Sequence, residues 1–209
     1  MNYPILAIET SGPICSVAVL KENGKYSETT INEKNIHSEK LLSLIDLTLN
    51  NLTLKISDVK ILAVSIGPGS FTGLRIGLAT AKGIAIAGNK GIIPVPTFDA
   101  LAFQIGNNLP SEQYFSIVTK VNSDEFYLGK YKKQDFVVRK LKDVFIIDKD
   151  EIDSFITKDE LLFDSKIISA PNSLFVAKWA EKYGENLIDY NYDFLEPNYL
   201  KNFVIKVKK

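Results

Sequence analysis

The 209-residue chain carries 25 basic and 25 acidic side chains and is 45% hydrophobic, enough apolar content for one large domain or two small lobes. A net charge of zero argues against a protein that grips nucleic acid alone by electrostatics, because phosphate binding needs a surplus of Lys and Arg; one local basic patch is still allowed. The single cysteine, Cys15, rules out an intrachain disulfide and reads most simply as a core residue of a protein from a reducing compartment.

The first residues, Met1 to Glu9, read as strand and lack the charged and apolar segments of a signal peptide. No apolar run is long enough to span a bilayer, so a cytoplasmic protein with no membrane partner is expected. Tyr3 to Thr10 and Cys15 to Leu20 read as strands around the turn Ser11-Gly12-Pro13. Asn23-Gly24 marks a hairpin into a third strand, Lys25 to Ile31. A helix over Ile36 to Asn51 follows, then a buried strand over Ile61 to Ile66, a helix over Thr72 to Ala87 and a strand over Gly91 to Pro96. Thr97 or Asp99 starts a third helix. The polar stretch Gly106 to Glu112 divides the chain into an N-terminal lobe, residues 1–106, and a smaller C-terminal lobe with its tail, residues 107–209. The second lobe reads as strands over Tyr114–Thr119, Glu125–Tyr131, Phe136–Leu141 and Lys166–Ala170, then a helix over Leu174–Tyr183. The element order of the first half predicts an α/β fold with a mixed sheet, an antiparallel hairpin edge and flanking helices, and the partial echo in the second half points to two related lobes.

The densest chemical signal is the run Gly67-Pro68-Gly69-Ser70-Phe71-Thr72-Gly73-Leu74-Arg75-Ile76-Gly77 between a strand and a helix. It reads either as a tight turn with Ser70 or Thr72 as N-cap, or as a helix start whose N–H groups hold an anion. No Lys-Ser or Lys-Thr closes it, so it is not a P-loop. In the helix after it, Gly73, Gly77 and Ala81 recur at four-residue spacing, with Thr80 close to that line. Each glycine there costs about 1 kcal/mol against alanine, which predicts close approach by another element. In the preceding helix, Leu41, Ile45, Leu49 and Leu52 form the inward stripe, and Leu44 and Leu47 lie off it. Two neighbouring helices with surplus apolar surface point to a protein partner. Leu44, Leu47, Gly73, Gly77, Thr80 and Ala81 are therefore the candidate interface residues.

Glu9-Thr10-Ser11 ends the first strand, where a carboxylate can hold a metal through water and hydroxyls can meet phosphate; ordinary strand-end polarity is the plainer reading. With Gly67, Gly69 and Ser70 these residues form the phosphate-proximal candidate set. His37, the only histidine, reads as a cap or surface group. No metal-ligand spacing or catalytic triad is present, so no metal and no catalytic residue is expected. The basic tail, Lys201, Lys206, Lys208 and Lys209, reads as solvated.

Ile5-Leu6-Ala7-Ile8-Glu9-Thr10-Ser11, Cys15-Ser16-Val17-Ala18, His37-Ser38-Glu39-Lys40-Leu41-Leu42, the glycine run from Gly67 to Gly77, and Pro197-Asn198-Tyr199-Leu200-Lys201 resemble the TsaB (YeaZ) family, densely over residues 4–103. The resemblance implies an actin/Hsp70/sugar-kinase-like fold with two ribonuclease-H-like lobes. It also implies a non-catalytic part in threonylcarbamoylation of the adenosine beside the tRNA anticodon. In that family the chemistry sits on a paralogue, TsaD, which TsaB binds through its first two helices. TsaE joins with ATP, and TsaB also pairs with itself. The resemblance thus implies a TsaD-type partner, a TsaE-type ATPase, a homodimer, tRNA only within the complex, and ATP only in the larger assembly with no cofactor in the isolated chain. The chain departs from related patterns at two places. Thr97-Phe98-Asp99-Ala100-Leu101 stands where the catalytic paralogue has its His-x-x-x-His metal pair, and Lys120-Val121-Asn122 stands where many members have Asp-Ala-Arg. Glu9 replaces the more usual aspartate. The alternative is a self-sufficient ATP-binding or hydrolysing enzyme of the same fold; it would need a glycine-rich adenosine turn, and Ser169-Ala170-Pro171-Asn172-Ser173 has no glycine.

Overall fold

The structure, a computed structural model, describes residues 1–33 and 36–200; the basic tail residues Lys201, Lys206, Lys208 and Lys209 lie outside them. The chain opens with an antiparallel meander, β1 (Ile5–Glu9), β2 (Cys15–Leu20) and β3 (Tyr26–Ile31). Its second turn works because Gly24 takes φ +74° and donates its N–H to the Lys21 carbonyl, a conformation free to glycine. β4 (Ile61–Gly67) then runs parallel to β1, and β5 (Gly91–Pro96) parallel to β4, giving the order β3-β2-β1-β4-β5.

β1 and β2 are buried at every residue, which is why they read as unbroken apolar runs rather than alternation. Leu6, Ile8, Val17, Val19, Leu62 and Val64 face α1 (His37–Asn50) and α2 (Phe71–Gly88). Ile5, Ala7, Ala18, Leu20, Ile61 and Ala63 face the opposite side, where α5 (Ser173–Tyr183) packs.

The second sheet has the order β8-β7-β6-β9, with β6 (Tyr114–Lys120), β7 (Glu125–Gln134) and β8 (Val137–Asp148) antiparallel and β9 (Leu161–Asp164) parallel to β6. This repeats the first four strands of the first sheet in order and direction. A short helix, α4 (Ile152–Phe155), lies between β8 and β9. Each mixed sheet is a three-stranded antiparallel meander extended by one or two parallel strands, and with their flanking helices the two make the two-lobed α/β architecture expected from the sequence. One strand is placed differently from the sequence reading: Lys166–Ala170 is not extended. Asp164 accepts the N–H groups of Ile167 and Ile168 on its carbonyl and that of Lys166 on its carboxylate, which turns the chain immediately after β9.

The lobes exchange helices. α3 (Thr97–Gly106) leaves the first sheet and buries Phe98, Leu101, Ala102 and Ile105 against Phe115, Ile117, Tyr127 and Tyr131 of the second. α5, reached only after the second sheet is complete, returns to the first. Its N-terminus is pinned there: Asn172 caps it, Ser16 Oγ accepts the Ser173 N–H, and the Glu28 carboxylate accepts from Ser173 Oγ and the Leu174 N–H. The strands therefore divide around residues 97–113, but helical packing crosses that line. Among the described residues no helix is long and apolar enough to cross a membrane.

Candidate functional site

The end of β1, the glycine loop and the start of α2 converge. Ser70 caps α2, its Oγ accepting the Gly73 N–H at 3.2 Å. Its own N–H donates to the Ser11 carbonyl at 2.7 Å. Thr10 Oγ1 donates to the Gly73 carbonyl at 2.8 Å. Gly67 sits at φ +114°, its N–H donating to Thr97 Oγ1 at 3.0 Å. A Cβ on Gly67 would meet the Asn198 carbonyl oxygen at 2.7 Å, and one on Gly69 would meet the Ser11 carbonyl oxygen at 2.6 Å. Glycine is required at both by close backbone approach, and at Gly67 by its dihedral as well.

The tail segment closes over this loop. The Asn198 N–H donates to the Ile66 carbonyl at 2.7 Å. Tyr199 stacks at a tilt on Phe71 with ring centres 5.0 Å apart, and its hydroxyl accepts from Arg75 Nε at 2.9 Å. The Arg75 guanidinium lies 3.9 Å from the Phe71 ring centre. Arg75 and Tyr199 lie 124 positions apart in the chain, and no local pattern links them.

Glu9, Thr10, Ser11, Gly67, Gly69 and Ser70, the phosphate-proximal set, are thus brought together, and several of their polar atoms are already hydrogen-bonded, to one another or to Ser65, Gly73 and Thr97. The Glu9 carboxylate is fully buried; it accepts the Ser11 N–H at 2.5 Å and the Ser65 hydroxyl. Burial pushes it up to about 7, against partial compensation from its hydrogen bonds with Ser11 and Ser65. Ser11 Oγ is buried with no hydrogen-bond partner among the described residues. No group of three or more His, Cys, Asp or Glu side chains arranged to hold a metal occurs among the described residues. His37 Nε2 lies 3.3 Å from the Ile14 carbonyl oxygen, a tie between α1 and the β1–β2 turn.

The α1–α2 layer revises the interface set. Gly73, Gly77 and Ala81 are not on the surface: the line they form is buried against the end of β1 within its own lobe. A Cβ on Gly73 would collide with the Thr10 carbonyl oxygen, and one on Gly77 with Thr10 Oγ1. The small residues let α2 lie close on its own sheet rather than on another molecule. Leu44 is also core, because positions 41, 44, 45, 48 and 49 share one helical face. Thr80 is half-buried and Leu47 is 50% exposed. The surplus apolar surface is real but lies elsewhere. Leu42 is 62% and Ile86 63% exposed, and Ala79, Gly83 and Ala87 are open beside Ile86. Leu47 on α1 and Ile86 on α2 lie away from the core-facing lines of their helices, whereas Leu42, five residues before Leu47, lies on the other flank of α1. For Leu47 and Ile86 the signal in the sequence was position on the helical wheel opposite the 41–45–49 and 73–77–81 lines; Leu42 sits at the edge of its helix's buried stripe.

A family model described as "TsaD: tRNA N6-adenosine threonylcarbamoyltransferase" matches residues 26–155, more than half of the chain. The chain is 30% identical over 194 residues to a protein of Buchnera aphidicola subsp. Schizaphis graminum named tRNA threonylcarbamoyladenosine biosynthesis protein TsaB, covering 83% of this chain and 90% of that protein. Proteins with the same name from Buchnera aphidicola subsp. Baizongia pistaciae and Haemophilus influenzae are 35% and 40% identical over 64% and 48% of this chain. Those two matches span 60% and 42% of the relatives' own lengths. In fold, the chain is similar to YeaZ from Pseudomonas aeruginosa, with a TM-score of 0.80 at 23% identity over 95% of this chain and 100% of that one. With 30% identity to a TsaB protein over 83% of this chain and 90% of that protein, the chain belongs to the TsaB (YeaZ) family.

Proposed function

We propose that the protein is a non-catalytic subunit in threonylcarbamoylation of the adenosine beside the tRNA anticodon, and that it binds and activates a TsaD-type catalytic subunit. The observation that carries this reading is the pair of neighbouring helices whose outer faces expose Leu47 on one and Ile86 on the other, with Ala79, Gly83 and Ala87 open beside Ile86. A stable helical layer in water carries charge on such a face. The names of its relatives support the pathway.

A part without chemistry of its own fits the glycine-loop junction. Several loop donors that would meet a phosphate are already hydrogen-bonded to protein, namely the N–H groups of Ser11, Gly67, Ser70 and Gly73, and Asn198 lies over Gly67. The Ser169–Ser173 segment, where the alternative ATP-hydrolysing reading needs an adenosine turn, instead leads into the Asn172 cap of α5. ATP and tRNA then enter only through the larger complex, with a TsaE-type ATPase as the third member. The cytoplasm is the matching compartment.

Leu47→Glu combined with Ile86→Glu should leave the circular dichroism spectrum unchanged, because both side chains already meet water. It should weaken co-purification with the TsaD-type subunit by roughly tenfold to a thousandfold, the effect of burying unpaired charge at an interface. Full retention of the complex by the folded variant would refute this surface. The same face serves self-association, so the catalytic partner should displace a homodimer and the double variant should sediment as a monomer. Given tRNA and a threonylcarbamoyl adenylate, the chain alone should yield no modified adenosine; product in that assay would overturn the non-catalytic assignment.

A further inference from the structure

We infer that the hollow between α3, α5 and the β7–β8 hairpin binds a planar nitrogen heterocycle of the nucleobase type. The cavity measures about 270 Å³ and shares no lining residue with the glycine loop. Small-molecule sites run from about 300 Å³ upward, so this one suits a one- or two-ring molecule rather than a whole dinucleotide.

Four aromatic side chains line it: Phe103 from α3, Tyr131 from β7, and Trp179 and Tyr183 from α5. Phe103 and Tyr183 meet edge to face at 5.9 Å, and Trp179 and Tyr183 are tilted at 5.6 Å. The rings hold one another in place, and a flat ligand gains contact with them at little ordering cost.

The cavity is also lined by a matched polar pair, Asp99 and Lys140. Asp99 Oδ1 accepts from the buried Tyr131 hydroxyl at 3.1 Å, which orients the carboxylate. Asp99 Oδ2 is held only loosely by Lys140 Nζ, at 3.5 Å. Lys140 also contacts Asp143 at 3.2 Å, so its ammonium keeps a partner while the carboxylate accepts from something else. A carboxylate acceptor beside an ammonium donor complements a ring edge that sets an N–H donor next to a nitrogen acceptor. A purely apolar ring would strand both groups, and sites built on such groups discriminate strongly against ligands lacking the complement. Asp99 and Asp143 disfavour an anion; Lys140 and Lys182, the latter 5.3 Å from the Phe103 ring centre, disfavour a cation. A neutral polar heterocycle remains.

Trp179 is the only tryptophan in the chain, so its fluorescence reports on one wall of this cavity. Titrating the full chain with 9-methyladenine should change Trp179 emission saturably with a midpoint on the order of millimolar, as expected for so small a ligand. The N6,N6-dimethyl analogue keeps the rings but lacks the N–H donor, and should bind about tenfold more weakly or worse. Asp99→Ala and Lys140→Met should each weaken 9-methyladenine by a similar factor. Asp99→Ala strands the buried Tyr131 hydroxyl, whereas Lys140 is half-exposed, so Lys140→Met carries the test if the first variant fails to fold. No saturable change up to the solubility limit would overturn the assignment. So would equal binding of the two probes, or unchanged binding by folded Lys140→Met.

Discussion

Replacing Gly73 with alanine should destabilise the fold by about 3 kcal/mol or more, while the same change at Gly83 in the same helix should stabilise it by about 0.5–1 kcal/mol. At Gly73 the new methyl would overlap the Thr10 carbonyl oxygen, a backbone atom at the buried end of β1 that no rotamer can move aside. Relief requires lifting α2 off the sheet, which opens Leu74, Leu78, Ala81 and Ala85 along the whole helix. The shift would also break the Thr10 hydroxyl bond to the Gly73 carbonyl. At Gly83 an added Cβ meets nothing within 4 Å, so only the lower helix propensity of glycine is removed. Urea unfolding of the two variants against the parent measures both. Equal effects would mean that α2 does not sit on β1 as described. The same geometry makes Gly77 and Ala81 poor places to probe partner binding, since a bulky charge at either breaks the lobe before it reaches any interface.

Glu9→Gln should raise stability by about 3 kcal/mol at pH 8 and change it little near pH 4. The carboxyl is raised from 4.5 in an open chain to about 7 in the fold, because burial penalises its charged form. At 1.36 kcal/mol per unit, that difference sets the magnitude. The sign follows from proton counting. Between 4.5 and 7 the folded protein holds a proton that the unfolded chain has released, so stability falls as pH rises through this window. Below 4.5 both states are protonated and the penalty vanishes; above 7 both are ionised and it is fully present. Glutamine can accept the Ser11 N–H through its carbonyl oxygen and donate to Ser65 Oγ, keeping both contacts while abolishing the titration. The check is the difference in unfolding free energy between variant and parent across pH 4 to 8, which cancels every other titrating group. A difference independent of pH would show that the carboxyl does not carry this slope.

A buried, partly protonated carboxyl at the end of β1 was not visible from residue order. Glu9-Thr10-Ser11 reads as polar strand end or phosphate loop, and both readings leave Glu9 near solvent. Its neighbour Ser65 comes from β4, and the closing Asn198 comes from the far end of the described chain. Burial there is decided by which strands pair, and short-range pattern holds no such information.

Local order alone determined most of the elements. Period-two and continuous apolar runs located β1, β2, β4 and β5, because a strand buried on both faces has few other ways to be written. Gly24 announced its turn, and the sequence narrowed the cap of α2 to Ser70 or Thr72, of which the structure uses Ser70. The glycine run told correctly that something comes close to α2. Only the tertiary structure decided what: the end of β1 in the same lobe, not a second molecule. A Cβ-free helical line reports proximity without naming the neighbour, since its own sheet and a partner helix ask for the same small side chains. The exchange of α3 and α5 between the sheets was likewise beyond reading along the chain. An amphipathic helix states that it has an apolar face, but which of two apolar sheets covers it depends on crossover direction and on distant contacts such as Glu28 with the N-terminus of α5.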